Sequence, residues 1–432
     1  MRKTAVFLIL VTFCICLSGC YDAKEVDDLA YVIALGLDKG KTNSLRITFQ
    51  IAVPKNLGSG GSDSQQSSGQ GGGNNSYDLI TIEAPAINPS FDMLNAFISR
   101  DLILSHTKAV VISEELAKEG ILPYVREMIR NREFRRKLNF LVSRTSAEEY
   151  LKSVKPKLEI NPAKYYDLND ASGNYTGTIP SSTLLKMYER MLCTGRQPAA
   201  ILASVNRYGT DKPFDTKQST FKNKNRDIPF EGDFFAGDIP KNSELGAEIM
   251  GTAVFDGSRL VGELDGETTY YYLLGSSEYI RAVWTFKDPL HKNEEVAITI
   301  SKNRKTNVKV KIVNQIPIIN VSLNLEGDIL AIHSGQDYEN PQRIKILESY
   351  ITEYIKNRFT QTFNILAKKY KSDIFGFGRN ARLLFTTLKD WEEFNWKRKF
   401  SDARLNLKIN FHIRRAGLIL KSDPPVSSQG KE

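Results

Sequence analysis

The chain is 432 residues long, 41% hydrophobic, 25% charged and 10% aromatic, a composition that excludes collagen, coiled coil and a disordered acidic tail. At roughly 100–200 residues per domain this length predicts two or three domains, each large enough to bury a core without disulfide staples. The formal charge of +9 comes from 59 Lys and Arg against 50 Asp and Glu spread along the chain, which favours anionic surroundings and marks no nucleic-acid arm.

Arg2 and Lys3 precede an apolar run from Ala5 to Leu17, and the run ends in Leu17-Ser18-Gly19-Cys20. It is too short to span about 30 Å of hydrocarbon and closes on small residues, so residues 1–19 read as a signal peptide. Leu17, Ser18 and Gly19 form a lipobox in front of Cys20. Cys20 is therefore expected to become the new N-terminus as an S-diacylglycerol cysteine with an N-palmitoyl group. Two or three acyl chains hold firmly, because each buried CH₂ contributes about 0.8 kcal/mol. Cys14 and Cys16 leave with the leader, so Cys193 is the thiol left in the fold, where a small buried hydrophobe is expected. No later apolar segment is long enough to span a membrane, which predicts a soluble body on an N-terminal anchor.

Residues 20–155 have the texture of an α+β domain. Leu29–Leu37 and Leu45–Val53 read as strands. Residues 58–76 hold only Gly, Ser, Gln, Asn and one Asp, and a stretch with nothing apolar cannot repay its ordering entropy, so a flexible loop is expected. Tyr77–Ala84 resumes alternation and should pair with the strand before that loop. A helix is expected over Asn88–Leu102, with Phe91, Leu94, Phe97 and Ile98 on one face. A strand Lys108–Ile112, helices Glu114–Glu119 and Leu122–Arg132, a strand Leu138–Val142 and a helix Ala147–Val154 follow. Arg130, Arg132, Arg135, Arg136 and Lys137 crowd around Phe134. Such a cluster can grip phosphate, nucleic or lipidic, but reads first as a solvated helix end whose cations complement the dipole.

Residues 156–245 read as a loop-rich middle domain around one helix, Ser182–Cys193, with an apolar stripe of Leu184, Leu185, Tyr188, Met191 and Leu192. Residues 246–421 read as a second α+β domain. Asp256-Gly257-Ser258 marks a hairpin, and Tyr279–Phe286, Glu295–Ile300, Lys305–Val313 and Ile316–Leu325 should form an antiparallel sheet. Pro341–Lys371, capped by Asn340, repeats apolar residues at steps of three and four from Ile344 to Tyr370. It predicts a helix of about 46 Å covering the sheet. Leu405–Ile413 closes the domain as a strand, and residues 422–432 are expected to be a disordered tail.

The sequence carries no readable catalytic or metal-binding constellation. Gly36–Thr42 resembles a phosphate loop, but one residue is missing between the glycines and a strand follows where a helix N-terminus is needed. His106, His291, His333 and His412 are dispersed without carboxylates or thiols at ligand spacing. Cys193 has no nucleophile motif, and Glu392 with Glu393, being adjacent, point to different faces and read as surface carboxylates in preference to a glycosidase pair. No enzyme, metal or cofactor is expected.

The segments LSGCYDAKEVDDLAYVIALGLDK, HTKAVVISEELAKEGI, NREFRR, GTAVFDGSRLVGELDGETT and SDIFGFGR, the last followed by Trp391 and Trp396, occur in an order that resembles the C-subunit lipoproteins of bacterial spore germinant receptors, the Ger(x)C family. Tyr21 stands where that family usually has Trp. The resemblance implies a three-domain α and β protein on the outer face of the spore inner membrane. It would work with a transporter-like B subunit and an A subunit in nutrient sensing, through assembly or signal relay. The expected partners are membrane lipid through Cys20 and those two subunits, with no nucleic acid; a small-molecule ligand stays open. The alternative is a solute-binding lipoprotein feeding a transporter, which would need a ligand pocket. A cell-wall enzyme would need a carboxylate or metal constellation that the sequence does not show.

Overall fold

The computed structural model describes residues 28–41, 44–53, 77–156, 158–159, 162–208 and 229–416, besides 4–5, 426–427 and 430–431. Cys20, the lipobox residues Leu17, Ser18 and Gly19, and the glycine-rich stretch 58–76 lie outside the described residues. So does most of the tail 422–432, within which Val426–Ser427 and Gly430–Lys431 pair antiparallel.

The chain enters as β1 (Leu29–Lys39), β2 (Leu45–Ala52) and β3 (Tyr77–Ala84), an antiparallel meander in which Tyr77 lies opposite Ala52. Next come α1 (Ile87–Asn95), β4 (Asp101–Ile103), β5 (Ala109–Ser113), α2 (Glu114–Glu119) and α3 (Leu122–Arg130). Then follow β6 (Asn139–Ser143), α4 (Ala147–Ser153), α5 (Pro162–Thr176), α6 (Leu184–Leu192) and β7 (Ala199–Val205). A hairpin of β8 (Ala247–Asp256) and β9 (Arg259–Leu264) completes a sheet ordered β3-β2-β1-β5-β6-β7-β8-β9, with β4 beside β1. Its centre, β1-β5-β6-β7, is parallel and its flanks are antiparallel. Helices cover both faces, α1, α3 and α6 one and α4 and α5 the other, which is why the central strands are continuous apolar runs without alternation.

The second half is α7 (Gly266–Ser276), β10 (Arg281–Lys287), β11 (Glu295–Lys302), β12 (Asn307–Val313) and β13 (Ile316–Ile332). After these come α8 (Pro341–Asn364), extended by a π turn at Ile365–Lys369, then α9 (Phe377–Arg382), α10 (Leu388–Phe394), α11 (Trp396–Lys399) and β14 (Arg404–Arg415). Asn340 caps α8 by accepting the Gln342 N–H at 2.8 Å. Leu347, Ile351, Ile355, Phe359 and Phe363, one helical turn apart, are buried on the sheet.

Several elements differ from their sequence expectation. The helix expected over Asn88–Leu102 stops at Asn95, because Asp101–Ile103 finds a parallel partner in Leu29–Tyr31 and becomes β4; Phe97 is left 60% exposed. The second sheet, expected antiparallel, is mixed: β14 runs parallel to β13, since the helical crossover from α8 to α11 returns the chain in the same direction. The first sheet draws strands from all three stretches into which the sequence divides the chain, β7 from 156–245 and β8 and β9 from beyond 246. The middle stretch also holds α5, whose polar sequence hides it; buried Tyr166 anchors it by donating to Gln50 Oε1 at 2.8 Å.

Candidate functional site at the junction of the two sheets

The two sheets meet around α7, and the SDIFGFGR segment joins them through its backbone carbonyls and the Ser372 side chain. Asp373 is buried and its carboxylate accepts the N–H groups of Gly376 (2.9 Å), Phe377 (3.2 Å) and Gly378 (2.8 Å) together with the Trp396 indole N–H (2.9 Å). Burial holds this carboxyl above the ordinary aspartate range, the donors offsetting part of that shift. Gly376 sits at φ +82°, a conformation that a side chain disfavours. The turn holds the loop between α6 and β7, since Gln197 N–H donates to Asp373 O (2.8 Å) and Arg196 Nε to Ile374 O (3.0 Å), and Trp391 Nε1 of α10 adds a bond to Thr194 Oγ1 (2.8 Å). Ser372 Oγ donates to Phe255 O on β8 at 2.6 Å. A Cβ on Gly378 would run into the Trp396 ring and stand 2.7 Å from the Gly195 carbonyl oxygen. Gly378→Ala is accordingly expected to cost about 1–3 kcal/mol through overpacking, read from the urea unfolding midpoint.

Beside this turn Glu278 accepts from Arg190 Nη2 (2.8 Å) and Arg196 Nη2 (2.7 Å). Burial works to raise the Glu278 pKa, but the two guanidinium groups outweigh it and hold the carboxyl below the ordinary glutamate range. Its folded pKa thus lies below the unfolded one, so the pair contributes stability at pH above the unfolded value, and that contribution is lost as pH falls through the folded value. Glu278→Gln should cost about 3 kcal/mol near neutrality by stranding two buried arginines, and should flatten the acid limb of stability. Melting curves from neutral to about pH 3 measure both. A second buried carboxylate, Glu267 on α7, takes Arg358 Nε (3.0 Å) and Tyr354 Oη (2.8 Å) from α8, tying α7 to the long helix.

At the carboxyl ends of β1, β5 and β6 lies a cavity of about 670 Å³ lined by Asp38, Arg46, Ser113, Arg144, Ser146 and Glu148 among others, the position where open parallel sheets take ligands. Its charges are already engaged. Asp38 accepts the Ala147 (2.7 Å) and Glu148 (3.0 Å) amides, and Arg46 Nε donates to Glu148 at 3.0 Å. The Gly36–Thr42 segment therefore supplies an internal cap for α4, and its aspartate occupies the amides an anion would need.

Arg130, Arg132, Arg135, Arg136 and Lys137 are exposed while Phe134 is buried, so Phe134 is not a stacking platform. Cys193, expected buried, is half-buried at the end of α6. The α6 stripe includes Met187 and the ion-paired Arg190 in place of Leu192, which is 51% exposed. Glu392 and Glu393 are exposed. Glu294, Glu295 and His333 bring ligand-type atoms within 4.8 Å of one another, a grouping hidden from sequence spacing because β11 and β13 pair across it. Lys287 Nζ already engages Glu295 Oε1 at 2.7 Å, so no metal centre is assigned there. No helix among the described residues is long and apolar enough to cross a membrane.

A helix-covered mixed sheet joined through a buried turn to a second mixed sheet under one long helix defines a multidomain α+β protein. The crystal structure of the GerBC protein shares this fold, with a TM-score of 0.51 and 16% identity, covering 91% of this chain and 100% of that one. The family model for the spore germination protein N-terminal domain matches residues 22–205, and that for the spore germination B3/GerAC-like C-terminal domain matches residues 250–417. In Bacillus subtilis, spore germination protein KC is 24% identical over 100% of both chains. Spore germination protein B3 of the same organism is 21% identical over 98% of this chain and 100% of its own length. The chain belongs to the Ger(x)C family of spore germination proteins.

Proposed function

We propose that this protein is the lipid-anchored C subunit of a nutrient germinant receptor, held by acylated Cys20 on the outer face of the spore inner membrane. In this reading it works without catalysis, by assembly or signal relay with the A and B subunits. The observation that carries the reading is the end-to-end match to spore germination proteins KC and B3 together with the GerBC fold. The junction supports relay as the mode of action. Glu278 binds Arg190 and Arg196, Gln197 N–H donates to Asp373 O and Ser372 Oγ to Phe255 O, and these bonds tie the two halves together, so that a displacement imposed on one by a partner would be carried to the other. Affinity isolation of the tagged chain from detergent-solubilised spore membranes tests assembly. Recovery of a multi-spanning transporter-like protein and an A subunit is expected; recovery of the chain with neither would contradict it.

A further inference from the structure

The arginine cluster has a definite place in the fold. Parallel pairing aligns Ala34 of β1 with Ala109 of β5, and Ala109 with Asn139 of β6. The residues leading into each strand, up to Leu29, Lys108 and Leu138, therefore gather at one end of the sheet, and residues 130–137 lie immediately before β6. Leu29 is also where the chain arrives from Cys20, nine residues earlier, a span of at most about 30 Å when extended. The cations and the tether thus share one end, while the charged cavity beside Asp38 lies at the other.

Arg130, Arg132, Arg135, Arg136 and Lys137 are all exposed, and none of their side chains makes a hydrogen bond or ion pair among the described residues. Glu133, inside the run, directs its carboxylate to the Leu104 N–H at 3.0 Å. The backbone beneath the cations is fixed: Phe134 is buried, Leu138 N–H donates to Arg135 O and Leu185 N–H to Arg136 O. Most other basic residues near this sheet are paired, as Lys108 is with Asp167 and Arg46 with Glu148. A fixed, unpaired group of five cations at the tethered end matches a surface of phosphate charge.

We propose that residues 130–137 form a membrane-facing surface that docks this end of the first sheet onto anionic phospholipid headgroups. The docking rests on the anchored reading for its biological setting, but it is a property of the protein surface and needs no receptor subunit. The acyl chains hold the chain near the bilayer, and the cations fix which end faces it.

The test uses the full chain after the signal peptide with Cys20→Ser, so that no acyl group contributes, sedimented with vesicles of phosphatidylglycerol and phosphatidylcholine or of phosphatidylcholine alone. Binding is expected to the anionic vesicles only, falling as salt rises. The triple variant R132Q/R135Q/R136Q, with an unchanged melting temperature, should bind roughly a hundredfold more weakly. The control K309Q/K311Q/K408Q, which removes equal charge from the exposed face of the second sheet, should bind as wild type. Absence of binding to anionic vesicles would assign the arginines elsewhere, Asp22, Glu25 and Asp27 of the linker included, and would overturn the proposal. Equal loss in the control would overturn it too, reducing the effect to net charge. Either failure leaves the germination role standing, and loss of that role would not alter the vesicle result.

Discussion

Asp373→Ala is expected to destabilise the protein by about 4 kcal/mol or more, the largest stability effect of a single side chain at the junction. The substitution removes the acceptor for three backbone amides and the Trp396 indole at once. Each donor stranded away from water costs about 1–3 kcal/mol, and Asp373 is too deeply buried for solvent to replace it. Asp373→Asn keeps one oxygen but turns an amide NH₂ toward donors, so a smaller loss of the same sign is expected. Denaturant unfolding followed by tryptophan fluorescence suits the measurement, because Trp391 and Trp396 stack at 6.1 Å beside the turn. An alanine variant within about 1 kcal/mol of wild type would show that the turn does not hold the junction.

Cys20→Ala is expected to have the largest effect on location. Without the thiol no diacylglycerol can attach, and the remaining body has no membrane-crossing helix among its described residues. In the anchored reading the substitution removes two or three acyl chains, each CH₂ contributing about 0.8 kcal/mol, and leaves the proposed electrostatic contact of the arginine surface. Immunoblots of fractionated spores should find wild type in the membrane pellet and the alanine form, where its leader has been trimmed, in the salt-washed soluble fraction. Retention of the leader-free alanine form after a salt wash would refute a lipid anchor at Cys20.

How much could be read ahead of the structure depended on whether an element keeps one wet face. Helix α8 does, and its apolar steps from Leu347 to Phe363 are the residues that lie on the sheet. The pairing of Tyr77–Ala84 with Leu45–Ala52 was readable for the same reason, as alternation resumes beyond the glycine-rich stretch. Elements buried on every side have no such signature. Helix α7 carries Tyr270, Tyr271, Tyr272, Leu273 and Leu274 in succession, all buried, and β7 is an unbroken apolar run within the parallel sheet. Those two elements join the halves, so the division of the chain was the hardest feature to infer.

The junction was half visible. Asp373 ahead of Gly-Phe-Gly is a signal for side-chain capping of a turn, but its fourth donor, Trp396, is 23 residues away. A stripe of apolar residues on α6 skips a charged position such as Arg190, whose burial follows from Glu278, 88 residues further on. Pairings over such separations are set by tertiary packing, and local pattern does not encode them. The arginine cluster was visible as composition, whereas its position at the same end of the sheet as the start of β1 required the parallel register of β1, β5 and β6.

The central claim, that this chain is needed for a nutrient germinant receptor to work, is tested most directly by germination itself. The measurement is dipicolinate release from spores of the native organism lacking this gene, against a panel of nutrients, with and without complementation by the wild-type chain. Loss of the response to particular nutrients, restored by wild type, is the expected result. An undiminished response to every nutrient, in a strain also lacking all other receptor operons, would contradict the germination role.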